Sequence, residues 1–177
     1  LGVGRAHWIG SSFGGGLVIR LAAARPDLVQ RLVLFSPTGI PKEEMDAVRE
    51  RVPKSRSAWD AFREMFEDPG LATRERYHEF SRLQKISAPF FRRYQATHPP
   101  DYATVGWTPQ MRAIRSPTLL IWGDCDKVIP PPMDRRTHEE IPGSRLSVLK
   151  GGGHFPFMDR PAEVNRMIME FLASADS

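Results

Sequence analysis

The chain is poor in several features, and most of these shortages exclude something. It has a single cysteine, Cys125, so no internal disulfide can form and nothing points to a disulfide-stapled secreted scaffold. No apolar stretch approaches the ~20 residues that a membrane helix needs. The opening residues lack the pattern of a signal peptide, which excludes nothing here, because Leu1 is not an initiator Met and lies only a few residues before a strand. There is no zinc-finger spacing and no basic run with interleaved aromatics, so the net charge of +4 reads as a mixed solvated surface and not as a nucleic-acid footprint. Internal repeats and low-complexity tracts are also lacking. What remains is a chain of 177 residues, 41% hydrophobic and 26% charged. That suits one ordinary globular domain with a substantial core.

Hydrophobic periodicity divides the chain. Ala6–Gly10 is a short apolar run ending at glycine, which suits a buried strand. A turn at Ser12–Gly16 follows, then a helical pattern from Leu17 to Arg25, ended by Pro26. Gln30–Phe35 is a second strand. Near-continuous apolar strands of this kind imply a parallel sheet covered on both faces. From about Gly39 to Pro109 no buried strand is evident. Four helical segments are expected there, at Glu43–Val52, Ala58–Glu67, Arg74–Leu83 and Ala88–Thr97, with Pro89 in the first turn of the last. The sheet pattern resumes at Pro117–Gly123 and Arg145–Leu149, and an amphipathic helix at Glu163–Leu172 closes the chain. The expected fold is α/β: the second half of a mostly parallel sheet, about four strands, formed by residues 1–38 and 110–177. Residues 39–109 would be a helical cap insertion.

Three segments carry chemistry. Gly10–Ser11–Ser12–Phe13–Gly14 matches G-x-S-x-G between a strand and a helix, the context that motif requires. Small residues on both sides permit a strained turn that projects Ser12. The helix N-terminus behind it favours developing negative charge, and the Phe13 N–H is a candidate oxyanion donor. A serine needs a base. His154, in the glycine-rich loop after the last strand, is the candidate, whereas His7, His78, His98 and His138 have no such setting. The base needs a carboxylate to orient it. Asp124 and Asp126 both follow the strand ending at Gly123, and residue chemistry alone does not choose between them.

These motifs resemble the α/β-hydrolase superfamily, in the style of cap-bearing bacterial carboxylesterases and meta-cleavage-product hydrolases. The resemblance rests on HWIGSSFGGGLVIRLAAARPDLVQRLVLFSP, PTLLIWGDCDKVIP and GGGHFPFMDRPAEVNRMIMEFL, and covers only the C-terminal portion of such a fold. It implies the order Ser12, Asp126, His154, with Asp126 as the acid because it is the third residue after the glycine. It further implies a serine hydrolase of small esters or related carbonyl compounds, working through an acyl-enzyme without metal or organic cofactor. The alternative is carbon–carbon hydrolysis of meta-cleavage products. Against it, such enzymes commonly carry Trp after the histidine, where this chain has Phe155. A ligand-binding relative without turnover is a third reading.

Trp59, Phe62, Phe66, Phe90, Phe91, Trp107, Phe155 and Phe157 are candidates to line a substrate pocket under the cap. Cys125 reads as a small packing residue. No HGxxG-like segment precedes Ser12, so the second oxyanion donor and the first half of the sheet are expected from polypeptide outside these residues, on the same or a separate chain. The expected partner is a small-molecule substrate, with no nucleic acid and no membrane. A homo-oligomer is left open, and the expected location is cytoplasmic.

Overall fold

The structure, a computed structural model, describes residues 4–52, 54–97 and 106–174. Its centre is a four-stranded parallel sheet in the order β1-β2-β3-β4, with β1 at Ala6–Ser11, β2 at Val29–Phe35, β3 at Thr118–Gly123 and β4 at Arg145–Leu149. Gly10 pairs with Leu34, Leu34 with Leu120, and Gly123 with Leu149.

The two central strands are apolar on both faces because both faces are covered. Leu32 and Leu34 of β2, with Leu120 and Trp122 of β3, pack on one side against Val18 and Ile19 of α1 (Phe13–Ala24) and Met133 of α6 (Met133–Glu140). Val33, Phe35, Leu119 and Ile121 point the other way, against Val164 and Phe171 of α8 (Pro161–Ala173). This two-residue alternation is the pleat of the strand. Each such side chain, fully buried, contributes roughly 1.5–3 kcal/mol.

Among the described residues β1 has one neighbour, β2, and lies at the sheet edge. Its outward residues follow suit: His7 is exposed and Ile9 is 53% exposed. The apolar run therefore covers only half of its own surface.

Between β2 and β3 the described residues form helices and no strand. They are α2 (Lys42–Arg49), α3 (Ala58–Arg63), α4 (Arg74–Thr97) and α5 (Thr108–Arg112). Ser57 caps α3, its hydroxyl accepting from Asp60 N–H at 3.1 Å. The two helices expected at Arg74–Leu83 and Ala88–Thr97 are one helix of 24 residues, with Pro89 inside it. A proline costs about 3 kcal/mol in a helix interior. Here that cost falls on one position, and the Leu83–Ala88 stretch before it holds no other breaker. The helical segment leaves and rejoins the core at one place, where Trp107 N–H donates to Gly39 C=O at 2.6 Å.

Candidate active site

Strands β1, β3 and β4 are parallel, so the residues following their C-terminal ends gather on one edge of the sheet, the usual location of sites in open α/β sheets. Ser12 follows β1, Asp126 follows β3 and His154 follows β4.

Ser12 is the single residue between β1 and α1, with φ 52° and ψ −122°. Such a backbone costs a non-glycine residue about 1–3 kcal/mol and persists only where the surroundings over-determine it. They do so here. Ser12 N–H donates to Phe35 C=O at 2.8 Å, while Ser12 C=O accepts from Thr38 N–H at 3.0 Å and Gly16 N–H at 3.2 Å. A Cβ on Gly10 would meet Gly15 Cα at 2.7 Å, Gly14 O at 2.8 Å and Gly15 N at 2.9 Å, all rigid backbone. Glycine on the other side of the serine is not demanded in the same way. A Cβ on Gly14 would meet no described atom within 4 Å, because the turn closes on Gly10 and Gly15. The Ser12 side chain does not cap α1. Phe13 opens α1, where N–H groups point out of the helix end.

His154 and Asp126 are each only 2% exposed. His154 Nδ1 lies 2.9 Å from Asp126 Oδ2. The other carboxylate oxygen, Oδ1, accepts from the N–H of Val128 at 2.8 Å and of Ile129 at 2.9 Å. A buried carboxylate satisfied by two amides and an imidazole is fixed in orientation. With the ring proton on Nδ1, this carboxylate would accept its hydrogen bond and leave Nε2 as the free ring nitrogen. Among the described residues hydrogen bonding joins Asp126 to His154.

The neighbouring acid has different work. Asp124 Oδ1 accepts from Gly151 N–H at 2.7 Å and from the Cys125 thiol at 3.2 Å. Burial opposes ionising Asp124, but bonds from Cys125, Gly151 and Gly152 outweigh it and hold the carboxyl below its ordinary range. Asp124 therefore ties the acid loop to the start of the histidine loop. Burial, followed by the charge and bonding of Asp124, pushes the Cys125 thiol up to about 11. That keeps it protonated at neutral pH.

The aromatic candidates divide. Trp59, Phe62, Phe66 and Phe155 join Tyr77 and Phe80 in one cluster, with Phe62–Phe66 centroids 5.3 Å apart and Phe66–Phe155 5.7 Å. Phe62 and Phe66 are buried, and Phe66 also borders a cavity beside α3. Trp107 stands apart from them, packed over Gly16 and Gly39 in the core beneath α1. Phe157 packs against Phe35 at 5.0 Å, and Phe90 is largely exposed. The side chain of Phe91 lies outside the described residues, as does His98. A cavity of about 540 Å³ opens beside Phe66, lined by Lys54, Arg56, Arg63, Glu64 and Lys127 among others. It is charged, and neither Ser12 nor His154 lines it.

Sequence reasoning passed over Met65. Its carbonyl accepts from His154 N–H at 2.8 Å, a backbone contact that no residue type announces.

The sequence profile of the alpha/beta hydrolase family matches residues 1–167. The chain belongs to the α/β hydrolase family. Similar proteins include an uncharacterized protein of Mycobacterium tuberculosis H37Rv, 27% identical over 99% of this chain and 58% of its own length. Another is the 2-hydroxymuconate semialdehyde hydrolase of Pseudomonas putida, 27% identical over 100% of this chain and 66% of its own. Among solved structures, a meta-cleavage product hydrolase from Pseudomonas fluorescens IP01 superposes with a TM-score of 0.71 at 25% identity, covering 98% of this chain and 66% of that one. The chain thus spans between 58% and 66% of the length of these relatives. Among the described residues no helix is long and apolar enough to cross a membrane.

Proposed function

We propose that this chain carries the triad of a serine hydrolase that cleaves a small ester or related carbonyl substrate. The supporting observation is the buried His154–Asp126 pair, set on the sheet edge that also presents the strained Ser12. In this reading Ser12 Oγ attacks the carbonyl carbon and His154 Nε2 takes its proton. The carbonyl oxygen becomes an oxyanion facing the N–H of Phe13. His154 then returns the proton to the leaving alcohol, and an acyl-Ser12 remains. A water, deprotonated by His154, hydrolyses it. Asp126 stabilises the imidazolium at both stages and is not itself protonated. Residues 39–109 act as the cap over the substrate. A second oxyanion donor, worth about 3–4 kcal/mol by the usual cost of losing one, comes from polypeptide that pairs along the open edge of β1.

A second reading, carbon–carbon hydrolysis of a vinylogous diketone by the same triad, is favoured by the names of two similar proteins, the 2-hydroxymuconate semialdehyde hydrolase and the meta-cleavage product hydrolase. Phe155 in place of the customary Trp weighs against it.

A fluorophosphonate probe on the intact protein is expected to label Ser12, and Ser12→Ala to abolish labelling and turnover. Unlabelled Ser12, with activity retained in Ser12→Ala, would remove the proposal. Comparing p-nitrophenyl esters with meta-cleavage products as substrates separates the two readings, since strong preference for the diketone reverses their order.

A further inference from the structure

The histidine loop is fastened to the helical segment as well as to the sheet. The fastening centres on Asp159, at the end of the short helix α7 (Pro156–Asp159). Asp159 Oδ1 accepts from Glu67 N–H at 3.1 Å and Asp68 N–H at 3.2 Å. Its other oxygen, Oδ2, accepts from Gly153 N–H at 2.8 Å. One carboxylate thus bridges the turn after α3 and the residue immediately before His154.

Around it the two segments are in backbone contact. His154 N–H and Phe155 N–H both converge on Met65 C=O, at 2.8 and 3.4 Å. A Cβ on Gly153 would meet Met65 O at 2.6 Å and Glu67 N at 2.9 Å, so glycine is what allows the approach. The rings of Phe66 and Phe155 pack in a tilted arrangement, 5.7 Å between centroids. The imidazole is therefore positioned from two sides: Asp126 sets its Nδ1, and the 65–68 turn sets its main chain. Among the described residues on the second side, Asp159 is a side chain that hydrogen-bonds to both segments at once.

We infer that Asp159 is a positioning residue that latches the 65–68 turn to the histidine loop and so makes the placement of His154 depend on the placement of the helical segment. It touches no reacting atom. Its carboxylate acts through Gly153, whose amide precedes the base in the chain. The inference rests on the serine-hydrolase reading for its consequence in catalysis, but the latch itself is a structural claim that can be tested separately. A shift of the helical segment on binding substrate would be carried to the imidazole through these bonds. A misplacement of about 1 Å at the base can cost roughly 100-fold in rate.

The test uses Asp159→Ala and Asp159→Asn in the intact protein. The asparagine variant keeps one acceptor oxygen and serves if the alanine variant fails to fold. Amide hydrogen exchange, which needs no activity, is expected to rise in both the Glu67–Asp68 and Gly153–His154 peptides of the variants. Saturation kinetics of the fluorophosphonate are expected to show kinact down roughly 10- to 100-fold, with KI and the final labelled fraction retained. Lower labelled fraction at unchanged kinact would mean a folding role only and would overturn the positioning role. Unchanged exchange at both segments would overturn the latch. If the wild-type protein is not labelled at all, the hydrolase reading fails, and the exchange result alone decides the latch.

Discussion

At the scale of single residues, Ser12 carries a conflict between stability and chemistry. Its φ of 52° suits glycine, which reaches positive φ without a Cβ penalty. Ser12→Gly is therefore expected to raise stability by up to about 1–3 kcal/mol of relieved strain, and the melting temperature with it, while removing the nucleophile. Ser12→Ala removes the nucleophile and keeps the strain. Thermal unfolding of the two variants side by side reads the difference, and equal melting temperatures would contradict the strain. Cys125 gives a second expectation. A thiol pushed up to about 11 carries little thiolate at pH 8, since raising the pKa of an acid favours its neutral form. Alkylation by iodoacetamide should be slow at pH 8 and climb toward a midpoint near 11. A midpoint near the ordinary thiol range would refute the environment assigned to it. Ser12, Asp126 and His154 were legible as residues from motif and chain order. The resemblance of the acid loop chose Asp126 over Asp124; residue chemistry by itself did not, because two acids separated by one position are equivalent until a loop aims one at the imidazole.

At the scale of elements, the β1–α1 elbow makes the sharpest claim. Gly10→Ala would press a methyl into the Gly14–Gly15 backbone, and no side chain can yield to make room. We expect a loss of upwards of about 3 kcal/mol, the high end for overpacking. Gly14→Ala meets nothing described within 4 Å. It lies in a helix, where alanine is favoured over glycine by about 1 kcal/mol, so the variant should be neutral or more stable. Denaturant titration of the pair checks the asymmetry, and equal losses would mean that the turn does not close as seen. The strands were readable from apolar runs bounded by glycine, within a residue or two of their observed ends. Helix α4 was not, because Pro89 is a local signal of interruption and its cost was set against a long favourable stretch on either side. Sequence marks Phe62 and Phe66 as large and apolar, and it does not mark how far they pack against each other.

At the scale of the whole molecule, β1 is an edge strand among the described residues, with Ile9 53% exposed. An apolar edge of this kind is a template for pairing with another strand. The 177-residue chain expressed alone is expected to self-associate through β1, and Ile9→Lys to shift it toward monomer, as read by analytical ultracentrifugation. Association unaffected by the substitution would place the contact elsewhere, for example at Leu83 and Ile86, which are also exposed.

The chain by itself determined the order of strands and helices, the serine elbow and the pairing of a late acid with a later histidine. These are written in local patterns: periodicity, glycine placement and spacing from a strand end. Tertiary structure alone decided that the aromatics of the helical segment pack together, and that Asp159 and the Met65 carbonyl hold the histidine loop. Those contacts join residues as many as 92 positions apart, often through backbone groups that every residue shares. Only the folding of the chain brings such groups within hydrogen-bond distance.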